Sequence, residues 1–353
     1  MIDIQEALLD YDFIIDRRSF LKLGVLSSLA LAFKPMGEAR TEFGCHLGRI
    51  GTSWVQSYLE PSFRSSKQEV LVRDELLSLT ARFTVDDGPS HNRIWYQTPA
   101  GYVHSANLQL VRWEPQIPRT SIPEGGAIFE ISVPYTRAYR LADPSSIPYY
   151  RLYYQSTAWV TDCMRGVDGR YWYQLRDDLL GVRYYVHAEH LRRIQPEEIS
   201  PISSHISPRE KRLEVNLAQQ ELRAFERDQL VMRTRISSGI PSSKPGPNGI
   251  PTRTPSGKFY VTRKTPLRHM GDGNLTADIE AYELPGVPWC SFFHSTGVAF
   301  HGTYWHTDFG RPRSHGCVNM RTEEALWLYR WTTPVVPADQ MLGYGQGTTV
   351  IVY

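Results

Sequence analysis

Charge of one sign is not in excess: 39 Lys and Arg stand against 37 Asp and Glu in 353 residues, a formal charge of +2. That balance offers no broad basic footprint, so nucleic acid is not an expected partner. Cysteine is scarce, with Cys45, Cys163, Cys290 and Cys317 the full set. These are too few and too scattered for a disulfide scaffold, and no Cys-x-x-Cys pair offers a zinc site. A Cys163–Cys290 bridge would suit an oxidising compartment, but sequence does not pair them, and both read more simply as small buried hydrophobes. The apolar run from Leu23 to Phe33 falls well short of the roughly twenty residues that cross a bilayer core. What is abundant is punctuation. Aromatics at 12%, with 24 prolines and 26 glycines, favour short strands and tight turns over long helices. The expected class is mainly β, in two or three compact domains.

The apolar run is preceded by Asp16-Arg17-Arg18-Ser19-Phe20-Leu21-Lys22. A basic pair before a short apolar core is the pattern of a secretory signal. The order Arg-Arg-x-Phe-Leu-Lys resembles the twin-arginine export signal, with Asp16 where Ser or Thr is usual. Gly37-Glu38-Ala39 offers a small-x-small cleavage site, so residues 1–39 are expected to be a signal peptide, the alternative being an uncleaved anchor. Either way the working part is expected outside the cytoplasm, in the cell envelope or periplasm. The membrane would be touched only through that segment, if it is retained.

The middle of the chain echoes itself. Ile94-Trp95-Tyr96-Gln97 precedes Tyr102-Val103-His104, and Tyr171-Trp172-Tyr173-Gln174 precedes Tyr185-Val186-His187. The longer turn at Arg176-Asp177-Asp178 absorbs the difference in spacing. Shared aromatic order at this separation predicts a duplicated small domain, over 46–115 and 124–195. Short aromatic strands broken at Asp87-Gly88 and Asp168-Gly169 predict small β-barrels. The Trp-Tyr then Tyr-Val-His order resembles bacterial SH3-like modules. His104 and His187 read as hydrogen-bonded core residues rather than ligands. Residues 196–209, with Pro196, Pro201, Pro208 and several serines, read as a linker.

After the linker the apolar rhythm returns. Leu213 to Leu217 alternates as a half-buried strand does, and Glu221–Phe225 pairs plausibly with Leu230–Thr234 through a turn at Glu226–Gln229. Further on stand Thr254-Pro255-Ser256-Gly257-Lys258-Phe259, then His301-Gly302-Thr303, then Ser314-His315-Gly316-Cys317-Val318-Asn319. A strand bearing His-Gly-Thr, followed after a short loop by Ser-His-Gly-Cys-Val-Asn, resembles the catalytic domain of the L,D-transpeptidases. The Thr-Pro-x-Gly-x-Phe segment lies in the order that family shows. The resemblance covers 210–353. It implies a β-sandwich catalytic domain with a short buttressing helix, preceded here by the two SH3-like barrels. The Pro241–Pro251 stretch and the Gly271–Pro288 loop are where this chain is expected to differ from that family.

The chemistry asks for these residue types on its own account. Acyl transfer between amides needs a nucleophile, a base and donors for a developing oxyanion. A free thiol is only a few per cent ionised at neutral pH, so Cys317 needs an imidazole to take its proton and form a thiolate–imidazolium pair. The resemblance casts Cys317 as nucleophile and His301 as base, oriented by the Gly302 carbonyl. It casts the backbone N–H groups of His315, Gly316 and Cys317 as oxyanion donors, with His315 flanking the donor peptide. Ser314 and Asn319 are expected to hold the loop through side-chain to backbone bonds. Thr322 reads as the N-cap of a helix whose Glu323, Glu324, Ala325, Leu326 and Tyr329 follow helical spacing.

The implied function is a peptidoglycan L,D-transpeptidase, in which Cys317 forms a thioester with a donor stem peptide and passes it to an amine. Water or a free D-amino acid would be alternative acceptors of the same thioester. A non-catalytic wall-binding protein is the competing class, and it would not need the cysteine that is present. A zinc reading of His294, His301, His306, His315 and Cys317 lacks an acidic partner at ligand spacing. No cofactor or metal is expected, peptidoglycan stem peptides are the expected partners, and a monomer is expected. Trp289, Tyr304 and Trp305 are candidate cleft walls. His294 and His306 are expected to line the cleft or face solvent.

Overall fold

Alternation of apolar and polar residues decides the architecture strand by strand. Lys211–Asn216 alternates buried and half-buried along its length, as a strand with one wet face must. The computed structural model describes residues 41–242, 252–271 and 283–353, with side chains described from His46 onward. The expected signal segment, and most of the Pro241–Pro251 stretch, lie outside the described residues. Among those described, no helix is long and apolar enough to cross a membrane.

The described residues fall into two units, divided between Leu110 and Val111. The first is a seven-stranded antiparallel sheet. Its strands are β1 (Thr41–Ile50), β2 (Trp54–Tyr58), β3 (Lys67–Val72), β4 (Leu76–Thr84), β5 (Ile94–Thr98), β6 (Gly101–His104) and β7 (Leu108–Val111). Leu71, Leu77, Leu79, Val103 and Leu108 form its core.

The second unit opens with another seven-stranded antiparallel sheet. Its strands are β8 (Ala127–Ile131), β9 (Tyr135–Tyr139), β10 (Pro148–Tyr153), β11 (Thr157–Arg165), β12 (Tyr171–Arg176), β13 (Arg183–His187) and β14 (Leu191–Arg193). The strand orders are β3-β2-β6-β5-β4-β1-β7 and β10-β9-β13-β12-β11-β8-β14. One becomes the other on adding seven to every label. The echoed residues hold matching posts, Trp95 opposite His104 and Trp172 opposite His187.

A two-sheet sandwich completes the second unit, built from β15 (Lys211–Asn216), β16 (Glu221–Glu226), β17 (Gln229–Arg235), β18 (Gly257–Tyr260), β19 (Arg263–Gly271), β20 (Glu283–Phe292), β21 (Ala299–Gly302), β22 (Val318–Met320), β23 (Gly343–Tyr344) and β24 (Thr349–Val352). One sheet runs β17-β16-β15-β24-β18 and the other β22-β21-β20-β19-β23. The expected β16–β17 hairpin forms, closing at Glu226 opposite Gln229. The stretch read as a Gly271–Pro288 loop is partly strand, since β19 reaches Gly271 and β20 begins at Glu283.

Helix α1 (Thr322–Trp331) packs on β20 and β21. Its N-cap is Arg321, and Thr322 is the first helical residue, one place later than its side chain suggested. Two buried lysines finish the other end. Lys264 Nζ donates to the carbonyls of Tyr329 and Thr332, and Lys211 Nζ to that of Trp331. Cations suit the negative end of a helix.

The sandwich core gathers Leu213, Val215, Phe300, Val318 and Leu328, and it also takes Ile128, Trp159 and Ile194 from the preceding sheet. The stretch 196–209 is not a loose tether. Ile199 is buried in that core, and Ile202 N–H donates to Arg330 O at 3.2 Å. The chain is therefore mainly β with one short helix among the described residues, its C-terminal sandwich preceded by antiparallel sheets.

Candidate active site

Strands β21 and β22 run parallel, with Phe300 opposite Val318, His301 opposite Asn319 and Gly302 opposite Met320. Because side chains alternate faces, Phe300 and Val318 go to the core, while His301 and Asn319 face the other way. Cys317 sits one residue before β22. With Ala299, Cys290, Val287, Phe292, Met270, Leu284 and Trp305 it forms a separate apolar cluster on the opposite face from the core.

The His301 ring is buried, and its Nδ1 donates to the Gly302 carbonyl 3.0 Å away. That bond fixes the tautomer and leaves Nε2 as the acceptor. Trp305, half-buried, lies 5.8 Å from the ring. Gly302 is confined, since a Cβ there would come within 2.9 Å of Pro288 and 3.1 Å of the Thr322 Cα. The start of α1 thus packs directly behind it.

The Cys317 thiol is half-buried, lies 3.9 Å from the Gly297 carbonyl and receives the Ala299 N–H. In this conformation its bond goes to that carbonyl rather than to the imidazole. Burial pushes the thiol up to about 11, against the Ala299 N–H, and burial pulls His301 down to about 4, against its bond to Gly302. Both shifts favour the uncharged forms, thiol and neutral imidazole. Desolvation penalises the charged form of each group, so the thiolate–imidazolium pair expected from sequence works against burial on both sides.

The turn before Cys317 is held from several sides. Ser314 Oγ donates to the Cys317 carbonyl and accepts the Gly316 N–H at 3.1 Å. Gly316 has φ of +121°, a conformation that glycine adopts without strain. Ser314 also pairs with Gly239, and Asn319 with Ser237, through backbone bonds. Thr254 Oγ1 accepts from Gly239 N–H and donates to the Gly316 carbonyl, each at 2.8 Å. His315 is exposed on this turn.

Asn319 does more than brace backbone. Its side-chain amide lies 2.9 Å from Nε2 of His306, whose Nδ1 accepts the Asp308 N–H at 3.2 Å. His306 is buried rather than lining a cleft, and burial, then Arg313, holds it near 3. His294 is partly exposed and bonds Thr296. Trp289 and Tyr304 are core residues, the latter donating to the Pro285 carbonyl, so Trp305 is the one of the three aromatics beside the site. Among the described residues, no three or more His, Cys, Asp or Glu are arranged to hold a metal ion. Sequence reading passed over Gly239, Ser238 and the Thr254 bridge. The Thr-Pro-x-Gly-x-Phe segment was the one signal that pointed there.

Comparison with known families matches this same stretch to the YkuD model, whose members are described as the L,D-transpeptidase catalytic domain. Residues 210–352 match that domain. An L,D-transpeptidase mutant from Enterococcus faecium is 23% identical over 41% of this chain and 50% of its own, with a TM-score of 0.30. An L,D-transpeptidase from Xylanimonas cellulosilytica is 27% identical over 42% and 62%, with a TM-score of 0.31. One from Mycobacterium smegmatis is 17% identical over 70% and 92%, with a TM-score of 0.32. The chain spans about half the length of the Enterococcus faecium structure. No curated protein matches. Within the matched stretch, His301 stands on β21 and Cys317 one residue before β22.

Proposed function

We propose that this protein is an extracytoplasmic peptidoglycan L,D-transpeptidase, with Cys317 as nucleophile and His301 as general base. The observation that supports the reading is the parallel pairing of β21, which carries His301, with β22, which begins one residue after Cys317. Nδ1 of His301 is occupied by Gly302, so Nε2 takes the thiol proton as sulfur attacks. The Cys317 side chain turns from the Gly297 carbonyl toward the imidazole for this step, and apo contacts of this kind commonly tighten on binding.

Attack on the carbonyl carbon of the L-configured donor residue forms a C–S bond and breaks the amide beyond it. The imidazolium returns its proton to the leaving amine. An incoming amine of a second stem peptide then attacks the thioester, gives up its proton to His301, and releases the thiol with the new amide cross-link. Water in its place trims the donor, and a D-amino acid exchanges its end. The oxyanion role narrows within the turn. Gly316 N–H is held by Ser314 Oγ, so we assign the donor to the Cys317 amide, with His315 flanking the donor strand. Gly302, Ser314, Gly316 and Asn319 are positioning residues. The two repeated sheets fit SH3-like modules at 46–115 and 124–195, and the signal at 1–39 fits export to the envelope. Incubating the mature protein with muropeptides and identifying products tests all three acceptors at once. Cys317→Ala must abolish every product, and turnover by that variant would exclude the assignment.

A further inference from the structure

The turn between β12 and β13, read from sequence as mere added length, reaches into the L,D-transpeptidase domain. Asp177 Oδ1 accepts the N–H groups of Leu179 and Leu180 at 2.9 and 2.8 Å, which fixes the turn. Its Oδ2 lies 2.7 Å from Nδ1 of His269 on β19. The other ring nitrogen, Nε2, lies 2.7 Å from Glu283 on β20. All three side chains are at least 95% buried, with exposures of 1%, 1% and 5%. Asp178 completes the junction, accepting from the His269 N–H at 2.6 Å and from Arg268 at 2.7 Å.

Two carboxylates on two ring nitrogens leave the imidazole little choice. A neutral ring has one N–H and would aim a lone pair at one carboxylate. The arrangement therefore calls for imidazolium. His269 also sits where the β19–β20 register slips, so that Pro285 and Gly286 oppose it alone, and such bulges re-aim a side chain. Gly286 has φ of +70°, and a Cβ there would fall 2.5 Å from the Thr157 carbonyl of the repeated sheet. The neighbours of the clamp matter most. Met270 and Leu284, beside His269 and Glu283, belong to the apolar cluster that contains Cys317.

We propose that Asp177, protonated His269 and Glu283 form a charge clamp through which the second repeated sheet positions the β19–β20 hairpin against the Cys317 face. This rests on the acyl-transfer reading above. Burial alone would lower the pKa of His269, but its bonds and charges from Asp177 and Glu283 outweigh burial and raise it above 6.5. A histidine raised on folding contributes fully below about 6.5 and loses that contribution as pH climbs through its raised value. Burial works against Asp177, yet His269 and the turn amides hold it below 3.8, so its share persists until pH falls through that lowered value. Tyr150 (ring 5.2 Å from His269) and buried Tyr184 also face the cluster, and both stay neutral across this range, being raised by burial and by Asp177. The clamp is thus closed below about pH 6.5 and opens as pH climbs through the raised value of His269.

The test is the second-order rate of Cys317 acylation by imipenem, followed by mass spectrometry from pH 5.5 to 9.5 in full-length wild type, Asp177→Asn and His269→Gln. Taking the ratio of wild type to variant at each pH removes the intrinsic pH dependence of the thiol. The expected ratio is on the order of tenfold in acid, as misplacement near a reacting centre produces, and converges toward one as pH climbs through the raised value of His269. After correction for the intrinsic, hydroxide-catalysed rate, amide protection of strands 263–271 and 283–292 in wild type alone should fall over the same pH range, which needs no variant to fold. A ratio of one throughout, or corrected protection indifferent to pH, overturns the clamp while leaving acyl transfer standing. Wild type that takes no imipenem at any pH refutes acyl transfer and the positioning role with it.

Discussion

Gly239 and Gly316 meet backbone to backbone: a Cβ built on Gly239 would lie 2.8 Å from the Gly316 Cα and 2.0 Å from the Thr252 carbonyl oxygen. Neither obstacle is a flexible side chain, so the backbone itself must move to admit a methyl group. Gly239→Ala is expected to cost about 1–3 kcal/mol, the range for overpacked sites. It should also displace the turn carrying Cys317, so imipenem acylation should slow by more than the fall in melting temperature implies. Equal melting and acylation in wild type and variant would refute this account of Gly239.

Thr254 bridges the same two glycines through one hydroxyl. Thr254→Val keeps the shape and removes the bridge, leaving a buried N–H and a buried carbonyl short of a partner at about 1–3 kcal/mol each. Thr254→Ser restores the hydroxyl and should recover most of the loss. Chemical denaturation of the three proteins decides it, and a valine variant as stable as wild type would show the bridge to be idle.

A Cys317 thiol pushed up to about 11 and a His301 imidazole pulled down to about 4 predict reluctant alkylation. At pH 7 Cys317 should carry about two orders of magnitude less thiolate than a free cysteine, so iodoacetamide should label it slowly and faster with each rise in pH. A preformed ion pair would instead give labelling that is high and flat from mildly acidic pH. His301→Gln should slow imipenem acylation by about 10²–10⁴-fold, the usual worth of a general base, while alkylation near pH 10.5 stays close to wild type.

Loss of the repeated sheet should be felt in the core as well as at the clamp. A chain beginning at residue 196 lacks Ile128, Trp159 and Ile194, which fill part of the sandwich core. Removing large buried side chains of this kind costs about 2–5 kcal/mol apiece. The shortened chain is expected to melt at lower temperature and to bind a hydrophobic dye, and unchanged melting would mean the shared core is dispensable.

The sequence made some parts of this readable because the signal there is local. The alternation along Leu213–Leu217, the β16–β17 turn and the Ser314–Asn319 segment each declare themselves within a few residues. Cys317 and His301 could be named because each lies in a short, distinctive motif. The parts that stayed hidden depend on contacts between distant strands. Nothing beside His306 announces that Asn319 will pair with it in the interior. Trp289 and Tyr304 look like any aromatic near a cleft until the sheet faces are known. The packing of 196–209 was concealed by its prolines and serines, although Ile199 and Ile202 carry the apolar contact. The shifts that burial imposes on Cys317 and His301 were also out of reach, since they follow from surroundings rather than from residue type.

The two sheets of identical strand order differ at one hairpin tip. In the first, β5 passes to β6 through Pro99 and Ala100, neither of which carries charge. In the second, the matching tip is drawn out between Arg176 and Arg183, and its two aspartates are the ones that grip β19. A few inserted residues thus give the second copy a hold on the sandwich through carboxylates that the matching tip of the first copy does not carry.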